Sequence, residues 1–158
     1  MPNWIEGTFR AKGRREKLEK FMNEALSLND KPVSFERLSE TDWYKVIGGW
    51  PKADLCGTNR QYLLFLGKDG MDLIRCRESD DLIFAVDFMG DREIDVDGIA
   101  ALARKYGVRI RVNGFESSGM FTQTMECDEY GGHIRVEKVQ YESVDRWVWY
   151  SPAPFCGG

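Results

Sequence analysis

An α+β fold, with two helices packed on one face of an antiparallel sheet, is what this sequence predicts, and three observations predict it. The hydrophobic period of the chain alternates between about two and about 3.6 residues, the signatures of strands and of amphipathic helices. A length of 158 residues suits a single domain. Hydrophobic residues at 42% beside charged residues at 30% give a globular balance, too apolar for a disordered chain.

The first element is a strand over residues 5–11. Ile5, Gly7, Phe9 and Ala11 fall on one side, and Glu6, Thr8 and Arg10 fall on the other. From residue 14 to about 27 the period becomes helical. Leu18, Phe21, Met22, Ala25 and Leu26 form one apolar stripe opposite Arg14, Arg15, Glu16, Lys17, Glu19 and Lys20. Pro32 cannot continue a helix, so this one ends by Asn29. Residues 29–60 read as an irregular, aromatic-rich insertion. Within it we expect a short strand at 33–35, a helical turn opening at Thr41 or Asp42, and turns at 48–51 and 56–59.

The middle of the chain returns to strands. Segments 62–66 and 71–76 flank Gly67-Lys68-Asp69-Gly70, which reads as a hairpin turn. Residues 81–89 are apolar almost throughout, as in a central strand with helices over one face. A second helix runs over 95–106. Asp95 caps it, Val96, Ile99, Leu102, Ala103 and Tyr106 point inward, and Gly107 takes the left-handed closing position. Gly98 within it is read as close packing on the sheet. Residues 108–112 form a strand with Arg109 and Arg111 outward, and the rest reads as a meander of strands at 121–127, 134–141 and 146–150. Strand, helix, strands, helix, strand is the order of a ferredoxin-like α+β sandwich, here with an added C-terminal β-meander. We expect one domain over 1–150 and a flexible tail over 151–158.

Composition narrows the function. Lys and Arg number 22 against 26 Asp and Glu, a net charge of -4, the opposite of a nonspecific DNA clamp. The longest apolar runs, 62–66 and 82–86, are too short to span a membrane, and residues 1–4 lack the start of a signal peptide, so a cytoplasmic location is expected. Cys56, Cys76, Cys127 and Cys156 have no metal-binding spacing and His133 is the one histidine. No metal and no cofactor are therefore expected, and the thiols read as free and mostly buried. The acids Asp87, Asp91, Glu93, Asp95 and Asp97 match no calcium loop and read as a cap with solvated charge. No nucleophile, glycine-rich phosphate loop or catalytic pair stands out. The expectation is a protein that is not an enzyme, with a small enzyme as one alternative.

Three stretches carry a resemblance. Met1-Pro2-Asn3-Trp4 opens directly into a strand and an amphipathic helix. Ile83-Phe84-Ala85-Val86-Asp87 leads to helix 95–106 and then Tyr106-Gly107-Val108. Glu116-Ser117-Ser118-Gly119-Met120-Phe121 turns into an outer strand. Together they resemble the YubB-type ferredoxin-like domain of plasmid and phage proteins. Of that family's Trp-Gly-Thr-Lys-Trp motif only Gly57-Thr58 has a counterpart. The resemblance implies a cytosolic protein of a mobile genetic element, of unassigned activity and with no catalytic residues to carry over.

The leading expectation is an interaction module of a phage or plasmid, an accessory protein that binds a host or element-encoded protein. One version is an acidic inhibitor of a host defence or nucleic-acid-handling protein. Its candidate contact residues are Trp43, Tyr44, Trp50, Trp147 and Trp149, because large rings dominate the energetic centre of interfaces. The alternative is a single-stranded nucleic-acid binder that uses the open sheet face through Arg109 and Arg111, with Phe84 or Phe88 nearby. A homodimer formed by edge strands of the meander is compatible with either.

Overall fold

The computed structural model describes residues 3–26, 34–37, 43–47, 52–64, 71–76 and 78–151. In chain order these form β1 (Trp4–Gly13), α1 (Arg15–Glu24), β2 (Ser34–Arg37), β3 (Trp43–Ile47), β4 (Lys52–Asp54), β5 (Gln61–Leu64) and β6 (Met71–Arg75). They continue with β7 (Leu82–Asp91), α2 (Val96–Tyr106), β8 (Arg109–Glu116), β9 (Phe121–Cys127), β10 (Arg135–Gln140) and α3 (Val144–Tyr150). The ten strands make one sheet in the order β10-β9-β8-β1-β7-β6-β3-β2, with β5 also on β7 and β4 on β5. Every named pairing is antiparallel.

β1 is the axis of this sheet. It pairs with β7 from Trp4↔Asp91 to Gly13↔Leu82 and with β8 from Glu6↔Phe115 to Lys12↔Arg109. Its period-two pattern decides which face is covered: Ile5, Phe9 and Ala11 are buried, as are Leu82, Phe84, Val86 and Phe88 of β7 and Ile110 and Val112 of β8. On that face Phe9 stacks on Phe21 of α1 and on Phe84, each at 6.0 Å between ring centroids, and Tyr106 of α2 meets Phe21 edge-on at 5.6 Å. Of the residues that the helical stripes assign inward, Leu18, Phe21, Met22, Ala25, Leu26, Ile99, Leu102, Ala103 and Tyr106 are buried and Val96 is partly buried against them. Gly7 is required where β1 meets β8, because a Cβ there would collide with the backbone carbonyl of Asn113.

Side-chain amides fix the entry to α2. Buried Gln61 donates to the carbonyls of Asn59 and Glu93, at 3.1 Å each, and its own carbonyl accepts from the Asp95 N–H. Buried Gln123 accepts from the Ile94 N–H at 2.9 Å. Asp95 then caps the helix by accepting from the Gly98 N–H, while its other oxygen accepts from the Asn59 N–H at 2.8 Å. Gly98 is small for this reason and not for sheet packing: a Cβ there would strike the capping carboxylate. Gly107 closes the helix at φ 65°, as expected.

Four local expectations are corrected. Segment 146–150 is not a strand but part of α3, whose start is capped by the Ser143 hydroxyl accepting from the Arg146 N–H, with Asp145 in the first turn. Alternation of rings over five residues is too short to separate a strand from a helix turn, and the cap decides. β5 and β6 are not a hairpin: both lie antiparallel to β7, one against its end (Gln61↔Gly90) and one against its start (Arg75↔Leu82), and residues 65–70 lie outside the described part. Of the helical turn expected to open at Thr41 or Asp42, residues 41–42 lie outside the described part, while Trp43 and Tyr44 belong to β3, a strand of aromatic and β-branched residues paired with both β2 and β6. The insertion over 29–60 therefore carries the strands β2, β3 and β4. Of the tail expected over 151–158, Ser151 closes α3 and residues 152–158 lie outside the described part.

One-sided coverage has a direct test. Phe9→Ala should cost about 3–5 kcal/mol in urea unfolding, whereas Lys12→Ala, on the uncovered face of the same strand, should cost less than about 1 kcal/mol. Equal losses would contradict the assignment of faces.

Candidate functional site

The face of the sheet opposite α1 and α2 carries the mostly polar halves of β1 and β8, together with Ile83, Ala85, Asp87 and Met89 of β7. Cross-strand register brings these side chains into rows. Arg10 lies between Ala85 and Arg111, and Arg111 faces Glu126 of β9; Lys12 lies between Ile83 and Arg109. Towards the other end Thr8 lies between Asp87 and Asn113, and Glu6 between Met89 and Phe115. Basic side chains thus collect at the end of the sheet where β1 leaves and β8 enters, and acidic ones collect where β1 begins.

At the basic end Arg10, Lys12, Ile83, Arg109, Arg111 and Glu126 border a shallow depression of about 240 Å³. Arg10 donates to the Asn113 side-chain oxygen at 3.1 Å, a neutral partner that leaves its charge uncompensated there. Glu126 is the local anion, 3.4 Å from Arg111 and 3.9 Å from Arg109, and all three groups remain substantially exposed to solvent. Lys12 has no ion-pair partner among the described residues. Over the rim of the sheet a wider cleft of about 1080 Å³ continues the cationic surface with Arg14, Arg15 and Lys17 at the start of α1 and Arg104 at the end of α2. Glu16, Asp80, Asp81 and Glu129 border the same cleft, so it is mixed in sign, with a small excess of cations. Carboxylates at the start of α2 and bases in its last turn match the helix dipole and reinforce this polarity.

At the acidic end Trp4 meets Tyr62 edge-on at 5.9 Å, and the Arg60 guanidinium lies 5.3 Å from the Trp4 ring centre while pairing with Asp91 at 2.9 Å. Hydrogen bonding to Tyr62, and then the charge of Asp91, holds the Arg60 pKa above its usual value. Of the other acids there, Asp95 caps α2 and Asp97 lies in its first turn, and no cluster of metal-ligating side chains occurs among the described residues.

The two residue sets read from sequence fare differently. Arg109 and Arg111 lie together on the uncovered face, exposed and on the same side of β8. Phe84 and Phe88, expected near them, are buried on the opposite face because even-numbered positions of β7 point towards the helices. The aromatic set is not gathered. Trp43 and Tyr44 fall on β3 near one edge of the sheet, as backbone positions whose side chains lie outside the described part, and Trp50 lies outside it altogether. α3 follows β10 at the opposite edge; there Trp147 is 3% exposed, edge-on to Tyr141 at 5.6 Å, whereas Trp149 is 81% exposed.

Arg10 and Lys12 were missed as partners of Arg109 and Arg111. The alternation of residues 5–11 already places Arg10 outward, but only the pairing Arg10↔Arg111 and Lys12↔Arg109 reveals the row. Glu116, within the motif stretch 116–121, is buried and accepts from the backbone N–H groups of Ser118 and Gly119, which makes it the clasp of the β8–β9 turn. Against expectation only one described thiol is buried: Cys56 is exposed, Cys76 half-buried and Cys127 buried. No family model, curated protein or solved structure matches the chain. No helix of the described residues is long and apolar enough to cross a membrane.

Burial, and secondarily the charges of Asp128 and Glu126, pushes the Cys127 thiol above its ordinary pKa. Since the thiolate is the reactive form, Cys127 should resist alkylation in the native protein at pH 8 while Cys56 is modified, by peptide mass spectrometry. Native labelling of Cys127 at the rate of Cys56 would contradict the placement of β9.

Proposed function

We propose that this chain is a binding module that lays a single-stranded nucleic acid across the basic end of its uncovered sheet face. The observation that carries the reading is the cross-strand row of Arg10 with Arg111 and Lys12 with Arg109 on the face opposite α1 and α2. The central strand order β8-β1-β7-β6, with α1 and α2 on one side, supports a ferredoxin-like core, whose open face is a platform for single strands. The net charge of -4 is compatible with this use, because the row itself holds Arg10, Lys12, Arg109 and Arg111 against the single carboxylate of Glu126. With guanidinium planes and no ring at the row itself, recognition would be dominated by phosphates, with bases stacked on arginine.

Fluorescence anisotropy with a short labelled oligonucleotide tests it. Affinity should fall steeply with salt, and Arg10→Ala or Arg111→Ala should each reduce the slope of log K against log salt by about 0.7. Glu126→Gln should strengthen binding, because it frees Arg109 and Arg111 from their shared anion. Absence of binding at low salt, or binding indifferent to all three substitutions, would refute the reading.

A second reading is a protein-interaction module of a mobile genetic element, including the acidic-inhibitor version. The observation that favours it is the exposure of Trp149 on α3, and the origin rests on the YubB-type resemblance of residues 1–4, 83–87 with 95–108, and 116–121. On this reading Trp149→Ala, and not Arg111→Ala, abolishes capture of a host protein.

A further inference from the structure

β10 ends the sheet. It pairs with β9 alone among the described strands, and all six of its residues are exposed, with Val136 at 47% and Val139 at 50%. Such an edge presents a row of unpaired backbone donors and acceptors to any strand that fits. Its side chains then decide which strand fits.

We infer that the fitting strand is β10 of a second copy, paired antiparallel about Val136. A twofold axis perpendicular to the sheet keeps the faces of both copies on the same sides, so facing residues must both be odd-numbered or both even-numbered. Within that constraint the charges of Arg135-Val136-Glu137-Lys138-Val139-Gln140 select the register. An axis at Arg135, Glu137 or Lys138 sets like charges against each other, which is destabilising across a strand pair. An axis at Ile134 or Gln140 centres the pairing beyond or at an end of β10, beside the turn at His133 with its φ of 48° or beside Tyr141, whose N–H is already given to the Met120 carbonyl, whereas an axis at Val136 keeps residues 135–137 of both copies paired within the strand. An axis at Val139 yields no ion pair. An axis at Val136 sets Val136 on Val136 and forms two Arg135–Glu137 pairs, one on each side of the axis.

The side chains are free for this arrangement. Neither Arg135 nor Glu137 has an ion-pair partner within 4 Å among the described residues, whereas Lys138, outside the proposed ion pairs, lies 4.1 Å from the Phe121 ring. Both Arg135 and Glu137 lie on the uncovered face, in register with Glu126 and Thr124. The paired copies therefore form one continuous sheet, with both uncovered faces looking the same way. The inference does not depend on what those faces bind.

Sedimentation equilibrium over a concentration series tests it, with far-UV circular dichroism to confirm that each variant is folded. The wild-type chain should dimerise below about 100 µM, and Arg135→Glu or Glu137→Arg should each weaken dimerisation by about tenfold or more. The double variant R135E/E137R reverses both members of each pair and should restore dimerisation. A monomer throughout, a dimer indifferent to the single swaps, or folded single variants that the double swap fails to rescue would each overturn the inference.

Discussion

Phe9 occupies the point at which the rest of the fold converges. It lies on the strand that holds both neighbours of the sheet, and its ring contacts Phe21 on one helix and Phe84 on the adjoining strand, while Tyr106 of the other helix closes on Phe21. Burying that cluster stabilises the fold by about 1.5–3 kcal/mol for each large side chain, and it also commits the odd positions of β1 to one side. Everything exposed on the even positions follows from that commitment. Because side chains alternate strictly, a one-residue slip of β1 would bury Arg10 and expose Phe9.

The same constraint explains how an acidic protein presents a cationic row. α2 lies with its first turn at the acidic end and its last turn at the basic end, and buried Gln61 and Gln123 hold its entry loop through backbone groups that would otherwise be unpaired. Its dipole is complemented at both ends by charge. Arg109 and Arg111 then leave on the far side of β8 because Ile110 and Val112 must face the core. Net charge describes the whole surface, whereas recognition depends on how that charge is distributed.

Much of this was legible in the residues, and the failures have physical causes. The alternation in 5–11 and the stripes in 18–26 and 96–106 are decided by burial on one face, which leaves a periodic trace that a reader can count. The cap at Asp95 and the close at Gly107 are local chemistry and were equally readable. α3 reads as a strand in sequence because Trp147-Val148-Trp149 alternates in size while only Trp147 is buried, and the Ser143 hydroxyl that starts the helix lies outside the alternating segment. The glycines at 67 and 70 suggest a hairpin between β5 and β6, whereas both pair with β7, further along the chain. The basic row itself is a product of register between strands a hundred positions apart, which no local pattern records.

The central claim is that the working surface is the uncovered face of the sheet at its basic end. The most direct measurement is a ¹H–¹⁵N titration of the labelled protein with a short unlabelled oligonucleotide at low salt. The account predicts shifts at the backbone and guanidinium resonances of Arg10, Arg109 and Arg111 and at the Lys12 amide, with α3 silent. Shifts confined to α3 and β10, or none at all, would contradict it.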